Sequence, residues 1–455
     1  MNETRTLTRG QWFTLAAAFL GWMFDGVEIG MTPLVARPAL HDLLGGAGES
    51  TVALWISAIT ACFLIGAAIG GISFGWLGDK VGRVRSMVAC MLMYSLFTGA
   101  CYFVATPWQL GMFIFLASLG MGGEWSLAVA LVMEVWPERH RSKLAGLIGA
   151  AANFGFLFIA LVALRWQVTV SDWRWMMLVG ASPAVLALLV LFLVPESERW
   201  KAAVKQGGRS PVVEIFSSHL LKKTLLAMAF SAIPLIGTWA AVSIGLPTWA
   251  DQLQESQVGK TMLSEPSRAK FEAAGTPKER TEVLKGVLSP LQWTAVQGEG
   301  AHARALVQVF LSIGAILGCF AAPMFGRIYG RRPVYFVLCF LSLLSCAYMF
   351  HCVSVYNLWF MIVGGVVGAI TAAFYGWLPL YLPELFPTRV RATGQGLSFN
   401  IGRVVAAGGA ICLGQFVGLF GDDYGRAMGV ITLIYVLGMI LIWFAPETKG
   451  KPLPD

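Results

Sequence analysis

The sequence predicts an all-α integral membrane protein with twelve transmembrane helices in two six-helix halves. The observations that predict it are a composition that water could hardly solvate, twelve apolar runs, and an internal repeat. Of the 455 residues, 57% are hydrophobic and only 13% are charged, and the mean hydropathy is +0.69. Soluble domains carry about 25% charged residues, so lipid must cover most of this chain.

Each apolar run is long enough to cross roughly 30 Å of hydrocarbon as a helix, which satisfies its own backbone hydrogen bonds. The runs lie at 12–34, 51–75, 84–104, 107–133, 144–166, 173–195, 222–248, 304–326, 333–353, 356–382, 392–418 and 426–445. The first run contains Asp25 and Glu28, whereas the apolar core of a signal peptide is short and uncharged. We therefore expect it to remain as a helix.

The basic residues are placed as topology signals. With the N-terminus in the cytoplasm, cytoplasmic segments carry 21 Lys and Arg and outer segments carry 11, of which seven lie in or beside the segment 251–304. Long loops translocate largely regardless of charge, so those seven are left out. The comparison is then 21 basic residues on the cytoplasmic side against 4 on the outer side. Both termini are therefore expected in the cytoplasm, with the chain in the inner membrane of a bacterium. The net charge of +8 does not indicate a nucleic-acid partner, because no basic patch forms.

Three motif pairs recur along the chain and define an internal repeat. The pairs are 134–141 (EVWPERHR) with 384–391 (ELFPTRVR), 78–83 (GDKVGR) with 326–331 (GRIYGR), and the Pro-Glu steps at 195–196 and 446–447. Their offsets are 250, 248 and 251 residues, which is the pattern of a duplicated transporter. We expect six-helix bundles at 1–195 and 222–455, joined by a cytoplasmic loop at 196–221. Segment 251–303 is expected to be a long periplasmic loop, either a tolerated insertion or a cover over the entrance.

Residues 75–85 (GWLGDKVGRVR) fit the loop signature of the major facilitator superfamily, and the chain resembles this family over nearly its whole length. The Pro-Glu steps are similar to those of its sugar-porter and metabolite-symporter branches. Residues 123–125 (GEW) and the Asp25-Gly26-x-Glu28 element resemble sialate and aromatic-acid proton symporters. The resemblance implies the major facilitator fold, a monomer, alternating access and a central cavity. Arg327 departs from the pattern, because the second loop motif would have an acid there.

An ionisable side chain at membrane depth costs about 2.5–3.5 kcal/mol on insertion scales, which makes each one a functional hypothesis. Asp25 and Glu28 lie on one face of the first run, and two close carboxylates in a low dielectric can hold a proton near neutral pH. Glu124 in the fourth run is a third candidate for proton coupling. The alternative for each is a structural hydrogen bond or, for Glu124, an ion pair with Arg403 of the eleventh run.

Arg403 is the candidate ligand of an acidic solute, because a guanidinium binds a carboxylate through two parallel hydrogen bonds. The alternative is a structural pair with an acid of the bundle. The runs that line the cavity in the family also contribute aromatic rings that could stack on a ligand, although ordinary packing would explain them as well. The further candidate solute-binding residues are Asn400, Trp22, Trp125, Trp239, Tyr375 and Trp377.

The charged residues of the cytoplasmic motifs are predicted to form a gate, which the family resemblance favours over a purely topogenic role. In the first half, Asp79 would pair with Arg83, and Glu134 with Arg139 and Arg141. The second-half set is Glu384, Arg389 and Arg391. Such pairs are weak when exposed and become a state-dependent lock when they are desolvated.

The sequence therefore predicts a secondary transporter, most specifically a symporter of protons and a small carboxylate metabolite. A sugar or polyol porter, a drug exporter of the same fold and a non-transporting solute sensor remain as alternatives. No cofactor or metal site is predicted, because the eight cysteines form no CxxC pair and have no histidine at ligand spacing. The triplet Gly259-Lys260-Thr261 lacks the first glycine of a P-loop, and no catalytic constellation indicates an enzyme.

Overall fold

The computed structural model describes residues 7–45, 49–166, 168–205 and 211–454. Within these ranges eleven helices are long and apolar enough to cross a membrane. The helix Arg391–Gly418 takes the place of the eleventh predicted run and completes the twelve spans. The described residues contain no strand, so the predicted all-α membrane fold is confirmed.

The first half contains the first six spans. They are Arg9–Leu43, Glu49–Val81, Arg83–Ala100, Pro107–Val135, Arg141–Arg165, and a sixth span made of Arg174–Ala181 and Pro183–Leu193. Short helices at Glu198–Lys205 and Pro211–Ile215 lie in the connection to the second half. That connection was predicted to be a loop.

The second half repeats the arrangement. Its spans are a seventh made of Leu221–Pro234, the π-helical Leu235–Gly245 and Leu246–Thr261, then Pro290–Tyr329, Arg331–Cys352, Leu358–Tyr381, Arg391–Gly418, and a twelfth made of Tyr424–Ile431 and Ile434–Leu441. Pro234 ends the first part of the seventh span, where a missing N–H and a steric clash disrupt regular α-helical hydrogen bonding.

Segment 251–303, expected to be a long periplasmic loop, is largely helical. The seventh and eighth spans extend into this segment, and the helices Glu265–Ala273 and Pro277–Val287 lie between them. Thr276 and Ser289 each form a capping box with a proline at the first helical turn. Phe271, Leu284 and Val296 form a small apolar core. The core of this helical subdomain contains few apolar residues. The segment is therefore polar in composition, which is why its sequence predicts a loop.

The two halves contact each other along the second span with the eleventh, and the fifth with the eighth. Glycines allow this close approach. A Cβ atom on Gly149 would lie 2.2 Å from the carbonyl oxygen of Tyr375, and one on Gly396 would lie 2.1 Å from that of Gly71. Residues near both chain ends lie at one face of the bundle, where Gln11 contacts the Val135 carbonyl and the Thr388 hydroxyl contacts the Pro454 carbonyl. We call this side the terminal face.

Candidate functional site

Three carboxylates lie buried inside the first half. Asp25 and Glu124 have no exposed surface and Glu28 is 4% exposed. Both carboxylate oxygens of Asp25 and of Glu124, and Oε1 of Glu28, lack a hydrogen-bond partner among the described residues. Glu124 packs on Gly21, where a Cβ atom would lie 2.1 Å from its Oε1. The structure therefore brings together the three predicted acids. Glu28 has one side-chain partner, the Thr98 hydroxyl, whereas structural hydrogen bonds within the described residues do not explain Asp25 and Glu124.

Tyr94 of the third span joins these acids and was not predicted. Its side chain is fully buried, it interacts electrostatically with Asp25, Glu124 and Glu28, and its hydroxyl has no hydrogen-bond partner among the described residues. A buried tyrosine hydroxyl normally finds a partner. No sequence signal separates Tyr94 from a packing residue, because aromatic rings are common at membrane depth.

Arg403 faces this group from the second half. It is 5% exposed, and its charge interacts with Asp25 and with Tyr375. None of the ion pairs within 4 Å among the described residues includes Arg403, and its Nη1 nitrogen has no hydrogen-bond partner there. The structural alternative of a direct pair with Glu124 is therefore absent from this conformation. The guanidinium therefore lies near the acids and has an N–H donor that no described residue uses.

An aromatic cluster centred on Phe399 lies beside the guanidinium. Phe399 lies one turn before Arg403, with the guanidinium carbon 5.7 Å from its ring centre. Trp125 stacks on Phe399 at 4.0 Å between ring centres, Trp22 meets it edge-on at 6.1 Å, and Tyr375 lies at 6.5 Å. Phe399 was not predicted, because nothing in the sequence distinguishes it from the other phenylalanines of the spans.

Other predicted solute-binding residues are placed differently. Trp377 is fully buried in the core of the second half against Tyr335 and donates its indole N–H to the Arg331 carbonyl at 3.1 Å. This packing places it in the protein core, and its contact with a solute stays a prediction. Asn400 donates to the backbone carbonyls of Gly122 and Gly396 at 3.0 and 2.9 Å, which ties the two halves together. Trp239 is half-buried and packs on the main core.

A network that we call the terminal-face cluster consists of Asp79, Arg83, Glu134 and Arg391. Arg83 pairs with Asp79 at 2.6 Å and with Glu134 at 3.1 Å, and Arg391 pairs with Glu134 at 3.0 Å. The side chains in these pairs have no exposed surface. Arg391 belongs to the second half and the other three to the first, so the cluster crosses the interface.

Further hydrogen bonds close the same interface. Asp79 accepts from the Thr393 backbone N–H at 2.8 Å and from its hydroxyl at 2.5 Å, while Arg83 donates to the Thr388 carbonyl at 2.8 Å. Ser142 donates to the Pro323 carbonyl. The terminal face is therefore closed, because buried polar groups of each half are satisfied by the other.

Several predicted gate pairs are wrong. Glu134 does not pair with Arg139 or Arg141, because its helix ends at Val135 before Pro137 and the chain turns away. Arg141 pairs instead with Glu138 at 2.8 Å, and Arg139 donates to His140. In the second half, Glu384 pairs with Arg331 at 2.6 Å. Arg389 pairs with Glu214 of the connection between the halves, with Nε 2.7 Å from Oε1.

The internal repeat extends to single hydrogen bonds. The carboxylate of Glu196 accepts from the backbone N–H groups of Arg83 and Val84. The carboxylate of Glu447 accepts from those of Arg331 and Arg332 at 3.0 and 3.1 Å. Each carboxylate therefore caps the N-terminus of a span, where a negative charge is favourable. This explains the duplicated Pro-Glu steps.

The cap at Glu447 makes stability depend on pH. Burial raises the pKa of Glu447, but hydrogen bonds from four backbone N–H groups outweigh it and hold the pKa below the usual 4.5. A depressed pKa contributes stability above the unfolded value, which is lost as the pH falls through the folded one. Glu447→Gln is therefore expected to lower the thermal unfolding temperature at neutral pH, with the difference from wild type shrinking below about pH 4.5. Glu198→Gln, at an exposed carboxylate, is the control. An equal difference between Glu447→Gln and wild type at every pH would contradict the role of the ionised Glu447 as a cap.

Glu134→Gln is expected to open the terminal face, because it removes the charge that both Arg83 and Arg391 pair with. Breaking a buried pair costs about 3–5 kcal/mol. A cysteine at the buried position Ala392, in a background without reactive native cysteines, should then react with a maleimide at least about tenfold faster. Glu138→Gln is the matched control, because Glu138 is half-exposed and pairs only within its own half. Equal labelling in both variants would refute the role of the cluster.

The fold and the site define a class of protein. Two homologous six-helix halves meet around buried acids and an unpaired arginine, and one face is closed by contacts that cross the halves, which is the architecture of a secondary transporter. The model of the Major Facilitator Superfamily matches residues 12–266, more than half of the chain, and that of Sugar (and other) transporter matches residues 270–453. The chain belongs to the major facilitator superfamily, as its motifs predicted.

Three relatives illustrate the branch. A probable 4-methylmuconolactone transporter of Cupriavidus pinatubonensis is 28% identical, with 96% of this chain and 91% of that protein covered. The cis,cis-muconate transport protein of Acinetobacter baylyi is 26% identical, covering 96% and 94%. The sialic acid transporter NanX of Escherichia coli is 23% identical, covering 94% and 92%. The resemblance to metabolite-symporter branches is thereby confirmed.

A solved structure supports the fold. The proton:xylose symporter XylE, bound to 6-bromo-6-deoxy-D-glucose, aligns with a TM-score of 0.64 at 18% identity and covers 98% of both chains. At this identity the likeness concerns the fold alone.

Proposed function

We propose that this protein is a proton-coupled symporter that takes up a small organic acid by alternating access. Arg403 supports this most directly, because it is a buried guanidinium with an unpaired donor that faces Asp25 across the two halves. An uncompensated buried charge is costly, and a carboxylate ligand would satisfy it with two parallel hydrogen bonds. The relatives named for muconate and sialic acid transport support an acidic solute.

In this proposal the aromatic cluster of Phe399, Trp125, Trp22 and Tyr375 holds the carbon skeleton of the solute. Trp239, on the half-buried wall of the seventh span, would contact it in another conformation. Asp25, Glu28 and Glu124 carry the coupled proton, because a neutral acid in place of a carboxylate removes the charge that competes with the solute for Arg403.

The terminal face is assigned to the cytoplasm by the distribution of basic residues, in the inner membrane of a bacterium and with the chain acting as a monomer. The terminal-face cluster then holds the cytoplasmic side closed while the solute enters from the periplasm. Residues 1–195 and 222–455 are the two moving units, and 196–221 connects them. Proton and solute binding shift the population toward the state in which this cluster is broken.

A sugar porter is the second candidate, because the Sugar (and other) transporter model matches the second half and aromatic rings also stack on sugars. Purified protein in liposomes with an inward proton gradient distinguishes the two. We expect cis,cis-muconate or sialic acid to accumulate and a protonophore to abolish the accumulation, with no uptake of xylose. Uptake of xylose alone would overturn the acid assignment, and binding of an acid without uptake would indicate a sensor.

A further inference from the structure

A cavity of about 40 Å³ lies inside the first half, apart from the interface between the halves. All residues that line it belong to the first, second, third, fourth and sixth spans or to the short helix after the third. This volume is the space open to the centres of water molecules. A buried water needs roughly 10–15 Å³ on that measure, so the cavity is large enough for a short chain of waters. A solute that moves between the halves has no need to enter this cavity.

Most of the cavity lining is apolar, and its few polar lining residues include Glu28, Thr98, Thr32 and Ser118. Glu28 lines it with an oxygen that has no hydrogen-bond partner, and the Thr98 hydroxyl donates to the Glu28 carboxylate. Thr32 and Ser118 also line the cavity, and their hydroxyls donate to the backbone carbonyls of Glu28 and Phe115 at 3.0 and 2.8 Å. Their oxygen lone pairs remain available. These groups supply the two or more polar partners that a buried water needs.

The lining runs away from the terminal face. From Glu28 to Ala36 it follows the first span for two turns, roughly 12 Å at 1.5 Å per residue. Leu110 and Cys101 line the far end, close to the connection between the third and fourth spans. Beyond Glu28 in the other direction lies Tyr94, which interacts with Asp25 and Glu124 as well. Glu28 therefore stands between the cavity and the central acids.

We propose that this cavity is a proton path to Glu28, separate from the path of the solute, and that Tyr94 relays the proton from Glu28 to the central acids. In the first step an O–H bond of a hydrated proton in the cavity breaks and one forms on Glu28 Oε1, leaving water. In the second, the Tyr94 hydroxyl takes the proton from Glu28 as it gives its own to Asp25 or Glu124. Tyr94 ends as the neutral phenol. The proposal rests on the proposed proton coupling.

The groups that face Glu28 fit a relay. Asp25 lies one turn away on the same helix and repels its negative charge, and Tyr94, Thr98 and Cys101 face it from the third span and the short helix that follows. Protonation of Glu28 relieves the repulsion with Asp25. Transfer onward leaves Glu28 negative again and ready for the next proton.

Two substitutions block the path without touching the solute site. Thr98→Val removes the hydroxyl at nearly constant shape, and Ala117→Val fills the cavity wall. In liposomes with cis,cis-muconate or sialic acid, each variant is expected to lose roughly tenfold or more of proton-driven uptake, while counterflow exchange, which moves no net proton, stays within about twofold. Thr98→Ser and Ala117→Ser are the matched controls and should behave like wild type. Equal loss of counterflow, or normal proton-driven uptake in both valine variants, would overturn the path.

A measurement without any solute separates this proposal from the proposed function. The infrared band of the protonated Glu28 carboxyl, assigned by its loss in Glu28→Gln, should shift rapidly in D2O in the wild type and at least about tenfold more slowly in Ala117→Val. An equal exchange rate in the two proteins, or no such band, would overturn the path even if transport is proton-coupled. A wild type that carries the acid with no proton dependence would instead refute the coupling.

Discussion

Arg403→Ala is expected to reduce proton-driven uptake of an organic acid by about a hundredfold or more. Loss of one partner of a buried, hydrogen-bonded charge pair costs about 2–5 kcal/mol, and 2.7 kcal/mol is a factor of about one hundred. Among the described residues, the other buried arginines form ion pairs at the terminal face, and Arg403 does not. Binding of the acid, measured by thermal shift, should fall with uptake.

Two further variants separate a loss of the guanidinium geometry of Arg403 from the loss of any positive charge. Arg403→Lys keeps the charge and loses the planar fork, so partial binding is expected. Arg426→Ala removes an arginine that is 74% exposed at its side chain and pairs with Asp423 in its own half; it should transport normally. If Arg403→Ala folds, as judged by its unfolding temperature, and still binds the acid like wild type, the carboxylate site lies elsewhere.

Asp25→Asn is expected to abolish accumulation of the acid against a gradient while counterflow exchange continues. Asparagine has nearly the shape of a protonated aspartate and cannot release a proton, so the chain should remain in the proton-loaded form. Asp25 is the acid that faces Glu28, Glu124 and Arg403 at once, which makes it the point where proton and solute charges meet.

The control for this variant is Asp172→Asn, in the exposed connection before the sixth span. It removes the same charge far from the acids and should accumulate the acid like wild type. Normal accumulation by Asp25→Asn would assign the coupled proton to Glu124 or Glu28 alone. Loss of both accumulation and counterflow in a folded protein would make Asp25 a part of the solute site.

The spans and the two halves could be predicted because their signals are local. Hydropathy needs only about 20 residues, and the repeat is visible in the motifs themselves. The partners of Glu134 could not be predicted, since Arg83 and Arg391 lie 51 and 257 residues away along the chain. Arg139 and Arg141 are close to Glu134 in sequence and have the opposite charge, so the sequence favoured them as partners. They lie away from Glu134 because its helix ends before Pro137.

The helices in segment 251–303 left a signal in the sequence. Thr276-Pro277-x-Glu279 and Ser289-Pro290-x-Gln292 are capping boxes with a proline at the first turn, which is a recognisable helix start. Tyr94 and Phe399 left none. Their roles depend on which groups surround them, and a single sequence does not state which aromatic rings of neighbouring spans meet.

In the proposed transport cycle, proton and acid move together. The most direct measurement is the pH inside liposomes, reported by a trapped fluorescent dye, when the transported acid is added outside with no gradient imposed. We expect the wild type to acidify the lumen as the labelled acid enters, and Asp25→Asn not to acidify it. Inward movement of the labelled acid by the wild type with no change of internal pH would contradict this coupling.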